Sequence, residues 1–170
     1  MNIAETDKYE IGAFKLATDI QTIDVEHADR YTNDTGRRLR IYHPESSWCN
    51  ETGVDNILDV INSSIKPIVE QFAYCECVLG RAWVNIHCDP GDCAFRHNHD
   101  EADYTSLYYV NTPKDCGNLY AEIDDNTYEF IPGVGDLIIM KGWVEHWTDI
   151  NKSNEARVSI VCDWLVDTDK

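Results

Sequence analysis

Gly91-Asp92-Cys93-Ala94-Phe95-Arg96-His97-Asn98-His99-Asp100-Glu101 is the stretch on which the fold turns. It sets two histidines two residues apart, and a third follows 47 residues after His99, in Gly142-Trp143-Val144-Glu145-His146. On a strand, residues i and i+2 point to one face, so His97 and His99 offer two imidazoles to a single point and a facing strand can carry His146 there. Three protein ligands leave coordination positions open, as a catalytic iron requires if cosubstrate and dioxygen are to reach it. Imidazole suits zinc as well, and isolated histidines are commonly satisfied core or surface residues, so spacing alone leaves iron, zinc and plain packing all standing.

Working outward, the chain from Cys77 onward breaks into short β-rich runs: 78–86, 105–111, 118–123, 127–131, 136–140 and 157–166. Turn residues such as Pro90-Gly91, Cys116-Gly117 and Pro132-Gly133 separate them, a rhythm that indicates a barrel or sandwich. Upstream, Val54, Ile57, Leu58, Ile61, Ile65, Ile68, Val69 and Phe72 recur at three and four, which marks one apolar helical face over residues 53–74. Pro67 sits inside that pattern and predicts a kink or two successive helices. Residues 1–50 offer only short segments, and Asp29 to Arg37 reads as loop. The expected organisation is one domain over 1–170, with a helical or irregular support region at 1–76 and a β core at 77–167.

A length of 170 residues suffices for a core without disulfide or metal staples. No run approaches the roughly 18 apolar residues of a membrane span. Residues 1–20 mix Glu5, Asp7, Lys8, Glu10 and Lys15 among apolar positions and lack the order of a secretory signal, which points to the cytoplasm. Seven cysteines (49, 75, 77, 88, 93, 116, 162) form an odd set without CxxC, as reduced thiols would. A formal charge of −17 repels polyphosphate backbones and disfavours a grip on duplex nucleic acid.

The HxH stretch, followed by Ser106-Leu107-Tyr108-Tyr109-Val110 and Cys116-Gly117-Asn118-Leu119, resembles the 2-oxoglutarate/Fe(II)-dependent dioxygenases, in particular small phage and bacterial members with HxH before an SGvYY-like strand. Phe130-Ile131-Pro132, Gly135-Asp136-Leu137-Ile138-Ile139-Met140, His146 and Arg157-Val158-Ser159 look like that family's closing pattern. The likeness covers roughly residues 78–165. It implies a double-stranded β-helix (a cupin-like jelly roll) with N-terminal helices, His97 as proximal and His146 as distal metal ligand, and Fe(II) and 2-oxoglutarate as metal and cosubstrate. Arg157 would hold the remote carboxylate of 2-oxoglutarate, which a planar guanidinium can pair through two hydrogen bonds. Ser159 shares its strand face, Tyr109 matches the family tyrosine that reaches the same carboxylate, and His87 is placed at that pocket. Trp83, Phe95, Trp143 and Trp147 are candidates for an apolar shell, with ordinary core packing as the other reading. The implied reaction is oxygenation of a C–H bond with release of succinate and carbon dioxide. The substrate, whether a protein side chain, a metabolite or a nucleobase, is not readable.

One departure stands out. Where most of the superfamily has an acid two residues after the proximal histidine, this chain has His99. Either His99 is a ligand in a three-histidine site, or Asp100 or Glu101 bends in as the acid, or the site is degenerate. Two rival functions stand beside this: a cupin-like metalloprotein that does not use 2-oxoglutarate, since Gly91, His97-x-His99 and Asp103, then Gly135 through Gly142 to His146, approximate the two cupin signatures, and a non-catalytic domain that kept the scaffold, which the missing acid supports. A cupin has no need of a carboxylate clamp eleven residues after its last ligand, which is where Arg157 lies.

Overall fold

A computed structural model describes residues 10–20, 23, 25, 28–30, 36–45 and 50–169. Cys49, residues 31–35 of the expected loop, and the first nine residues of the expected leaderless N-terminus lie outside the described residues. Among the described residues ten strands form: β1 (Ile11–Lys15), β2 (Asp29–Arg30), β3 (Arg37–Tyr42), β4 (Cys77–His87), β5 (Tyr104–Asn111), β6 (Leu119–Ile123), β7 (Asn126–Phe130), β8 (Asp136–Lys141), β9 (Glu145–Thr148) and β10 (Arg157–Val166). They make a seven-stranded major sheet in the order β1-β8-β5-β10-β4-β3-β2 and a three-stranded minor sheet, β7-β6-β9. Every pairing is antiparallel. The architecture is that of a double-stranded β-helix, mainly β.

Strict alternation explains which side of the major sheet meets which partner, because neighbouring strand residues face opposite ways. Ala82, Val84 and Ile86 of β4, Tyr108 and Val110 of β5, and Val158, Ile160, Cys162 and Trp164 of β10 form the outer face. Under them pack Ile57, Ile61, Ile65, Val69 and Phe72, each worth roughly 1.5–3 kcal/mol when fully buried. Leu107, Tyr109 and Val161 point the other way, toward Leu119, Ala121 and Ile123 of the minor sheet.

The helical segment is α1 (Ile57–Val60), a π-helical turn (Ile61–Ile65) and α2 (Lys66–Ala73). The interruption falls where Pro67 demanded one. Lys66 N–H donates to Ile61 O, and this wider i→i−5 turn makes room for a proline ring at the start of α2. No described helix is long and apolar enough to cross a membrane.

The N-terminal part departs from expectation. Major-sheet strands come from both sides of residue 77, since β1 pairs with β8 and β3 with β4. Asp29 and Arg37, read as loop, belong instead to the β2–β3 pairing. These strands are short and rich in arginine (Arg37, Arg38, Arg40), so their β character comes from docking on β4 rather than from local pattern.

Candidate active site

On β10 the inward face runs Arg157, Ser159, Val161, Asp163, and β4 sets His87, Asn85, Trp83 and Arg81 directly opposite. On the other flank β5 opposes Ser159 with Tyr109, Val161 with Leu107 and Asp163 with Thr105. The major sheet therefore presents a grid of polar and aromatic side chains, with a cation at one end and an anion at the other.

The histidines come from the opposite wall. The HxH segment is not a full strand: only His97 forms a bridge, antiparallel to His146 of β9. Two backbone bonds, His97 N–H to His146 O (3.1 Å) and His146 N–H to His97 O (2.9 Å), make them a directly opposed pair, which sets their rings 4.3 Å apart. His99 is anchored by its N–H to Gly142 O (2.8 Å), and its ring lies 5.2 Å from that of His97 and 5.1 Å from that of His146. A Cβ at Gly142 would lie 2.6 Å from His99 O, so only glycine allows this approach.

One ligand atom from each of His97, His99 and His146 lies within 4.8 Å of the others, a grouping that can hold a metal ion. Their Nδ1 atoms are all engaged: His97 with Phe95 O (2.5 Å), His146 with Val144 O (3.0 Å) and His99 with Asp163 Oδ1 (2.6 Å). An acceptor at Nδ1 fixes the proton there and leaves Nε2 as the ligand atom, the tautomer of metal-bound histidines with satisfied outer contacts. Burial, then repulsion from His97 and His99, pulls the His146 pKa down to about 3, so this ring is neutral and able to ligate. The residues present thus fit a metal. Asp100 and Glu101, the alternative acids, are exposed and outside this group. Another grouping, Cys88, Asp89 and Asp92, is a loop in which Asp92 Oδ2 accepts the N–H groups of Cys88 (3.1 Å) and Asp89 (3.0 Å).

A narrow cavity of about 20 Å3 runs from the histidines to Arg157 and Ser159. Arg157 is 3% exposed. Its Nη1 donates to Cys116 O (2.5 Å) and Gly117 O (3.1 Å), and its Nη2 to His87 Nδ1 (2.6 Å) and Thr148 Oγ1 (2.9 Å). All four acceptors are neutral, and no carboxylate of the described residues is in ion-pair distance. Burial lowers the Arg157 pKa from its ordinary value, a sign of how poorly this charge is answered. Gly117, at φ +89°, is part of the seat: a Cβ there would meet Asp149 O at 2.7 Å and Arg157 Nη1 at 2.9 Å.

His87, buried beside Arg157, has its pKa pulled down to about 3 by burial first and by Arg157 and Arg38 next, so it is the neutral acceptor that Arg157 Nη2 needs. Tyr109 and Ser159 are buried and line the cavity, and among the described residues neither hydroxyl has a hydrogen-bond partner. Burial raises the Tyr109 pKa, which keeps the phenol a donor.

Of the expected aromatic shell only Trp83 arrives, stacked on His99 at 5.7 Å and 10°. Trp147 stacks on Tyr120 under Arg96, while Phe95 and Trp143 are exposed. Ala94, Leu107, Leu119 and Val161 supply the apolar lining instead. Sequence reading missed Asp163, Arg81, Asn85 and Thr148. The two-residue period from Arg157 through Ser159 was the signal that leads to Asp163.

No family model matches the sequence, and no curated protein does. Solved structures do match in fold. An oxidoreductase of the 2OG-Fe(II) oxygenase family from Burkholderia pseudomallei superposes with a TM-score of 0.63 at 14% identity, over 76% of this chain and 66% of that one. The epimerase SnoN in complex with Fe3+, alpha ketoglutarate and nogalamycin RO gives 0.63 at 12%, over 85% and 70%. A Pseudomonas putida prolyl-4-hydroxylase gives 0.54 at 17%, over 79% and 70%. This chain spans about two thirds of the length of the first of these. The chain is thus built on the double-stranded β-helix found in solved 2-oxoglutarate/Fe(II) oxygenases.

Proposed function

We propose that the protein is a 2-oxoglutarate- and Fe(II)-dependent oxygenase that hydroxylates a C–H bond of a substrate still to be identified. The observation that carries this is Arg157: a permanently charged guanidinium, almost out of water, answered only by neutral acceptors and sharing a cavity with three convergent imidazoles. A buried charge is costly unless paired, so this arrangement suits an anionic ligand whose other end reaches the metal. The cupin reading leaves that charge without a purpose.

In this reading His97, His99 and His146 hold the iron through Nε2. Arg157, joined by the Tyr109 and Ser159 hydroxyls, holds the remote carboxylate of 2-oxoglutarate. The cavity is narrow, so the entering carboxylate shares or displaces the contacts of His87 and Thr148 with Arg157 Nη2. Leu107, Leu119 and Val161 exclude water from the space between clamp and metal. When bound, iron and 2-oxoglutarate supply the oxidising chemistry, with dioxygen consumed and succinate and carbon dioxide released.

Anaerobic titration of the apoprotein with Fe(II) and then 2-oxoglutarate tests this. A visible metal-to-ligand charge-transfer band is expected, followed by slow succinate release on admission of dioxygen; both should vanish in His146→Ala. A folded wild-type protein that gives neither band nor succinate overturns the reading.

A further inference from the structure

This inference rests on the metal site just proposed. Three imidazoles bring no negative charge to a divalent cation, whereas two histidines and a carboxylate bring one. The missing charge lies one bond further out. Asp163 Oδ1 sits 2.6 Å from His99 Nδ1, and the two side chains are 4% and 5% exposed. We infer that Asp163 is a positioning residue that supplies to the metal, through His99, the negative charge that a directly bound carboxylate would bring.

Several features support this role. His97 and His146 donate through Nδ1 to backbone carbonyls, whereas His99 donates through Nδ1 to a carboxylate. Trp83, stacked parallel to the His99 ring, fixes the plane in which that hydrogen bond is made. Asp163 occupies the inward row of β10 at its bulge, where the pairing steps from Asp163–Arg81 to Trp164–Leu79 and leaves Gly80 unpaired on β4.

Arg81 competes for the charge, because its Nε reaches Asp163 Oδ2 at 2.5 Å. That guanidinium, however, is 38% exposed and has Glu101 at 4.0 Å. Water and Glu101 screen its field, while nothing comparable screens the carboxylate from His99 across a buried contact. At the His99 ring the carboxylate therefore outweighs the guanidinium, which makes this imidazole electron-rich.

The test reads metal affinity and potential rather than turnover. Apoprotein affinity for Co(II), measured by competition with a chelating indicator, is compared among wild type, Asp163→Asn and Asp163→Ala, with far-UV circular dichroism as the folding check. Asparagine keeps an oxygen for the His99 N–H but loses the charge, so both variants are expected to bind about 10–100-fold more weakly. The Fe(III)/Fe(II) midpoint potential of the iron-loaded variants should shift positive. If Asp163→Asn binds like wild type and only Asp163→Ala is weak, Asp163 merely orients the ring and the charge role is overturned. Should Asp163→Asn not fold, Asp163→Asn with Arg81→Gln restores a neutral donor–acceptor pair and is held to the same expectation. A folded wild type that binds no Co(II) refutes the metal site itself, whereas tight wild-type binding matched by the variants refutes only the role of Asp163.

Discussion

Arg157 and Asp163 lie six residues apart on one face of β10, both buried and opposite in charge. Asp163 has its counter-charge inside the protein, an arginine on one oxygen and an imidazole on the other. Burial alone would raise its pKa, yet His99 and Arg81 outweigh that and hold it below the ordinary carboxylate value. Arg157 has polar neighbours and no counter-charge among the described residues. The same strand thus carries a carboxylate with a partly exposed arginine and an imidazole beside it, and a guanidinium with neutral partners only, and the guanidinium marks where a ligand's charge is expected.

The sharpest way to break this contrast is Arg157→Met. Losing two charge-assisted bonds of about 1.5–3 kcal/mol each should weaken 2-oxoglutarate binding on the order of 10²–10⁴-fold. Cobalt affinity should stay within about threefold, since Arg157 touches none of the three histidines, unlike an outer-shell partner. Isothermal titration with each ligand reads both numbers. Equal loss of metal and 2-oxoglutarate binding would mean that the two ends of the cavity are one structural unit and the contrast is false.

A smaller effect separates them by pH. His87 has a folded pKa of about 3, against 6.5 for the free side chain, so between these values the unfolded chain binds a proton that the native state does not. Its contribution to stability is complete above about pH 6.5 and is lost as pH falls toward 3, at no more than about 1.4 kcal/mol per pH unit. Urea midpoints of the apoprotein should fall over that window, and His87→Gln should flatten part of the slope. Saturating glutarate should protect the wild type, because an anion at Arg157 eases protonation of the neighbouring imidazole. An unchanged slope in His87→Gln would show that this ring is not the neutral partner of Arg157.

Much of this arrangement was legible, and its limits have physical causes. The β-rich run from Arg157 to Val166 gave the strand, and the resemblance to the dioxygenases, not the alternation, singled out Arg157 and Ser159 on it. The HxH pair gave the metal group, although the segment is held by a single bridge to β9 rather than by a strand of its own. β9 is missing from the β-rich runs, although a facing strand was expected to carry His146, because four residues, Glu145 to Thr148, carry little pattern and acquire their conformation from β6 and His97. β1 to β3 went unseen for the same reason: short strands become strands only when a sheet edge accepts them. Asp163 was overlooked because its importance lies in what faces it, Arg81 and His99, and both are distant in sequence.

The smallest expected effect concerns the acids that the sequence offered as replacement ligands. Asp100 is exposed and Glu101 is 89% exposed, with Arg81 as its ion-pair partner at 4.0 Å, in reach of solvent rather than of the imidazole cluster. For either to ligate, the 99–102 turn would have to reverse. That turn is held by Ala102 N–H to His99 O (2.9 Å) and is packed against Gly142, where even a Cβ would lie 1.9 Å from Ala102 O. Asp100→Asn and Glu101→Gln should therefore change stability by less than about 0.5 kcal/mol, as surface substitutions commonly do, and leave Co(II) affinity where it was. A loss of affinity in Asp100→Asn comparable to that in His99→Ala would move the third ligand from the imidazole to the acid, and with it the missing charge from the outer shell to the metal.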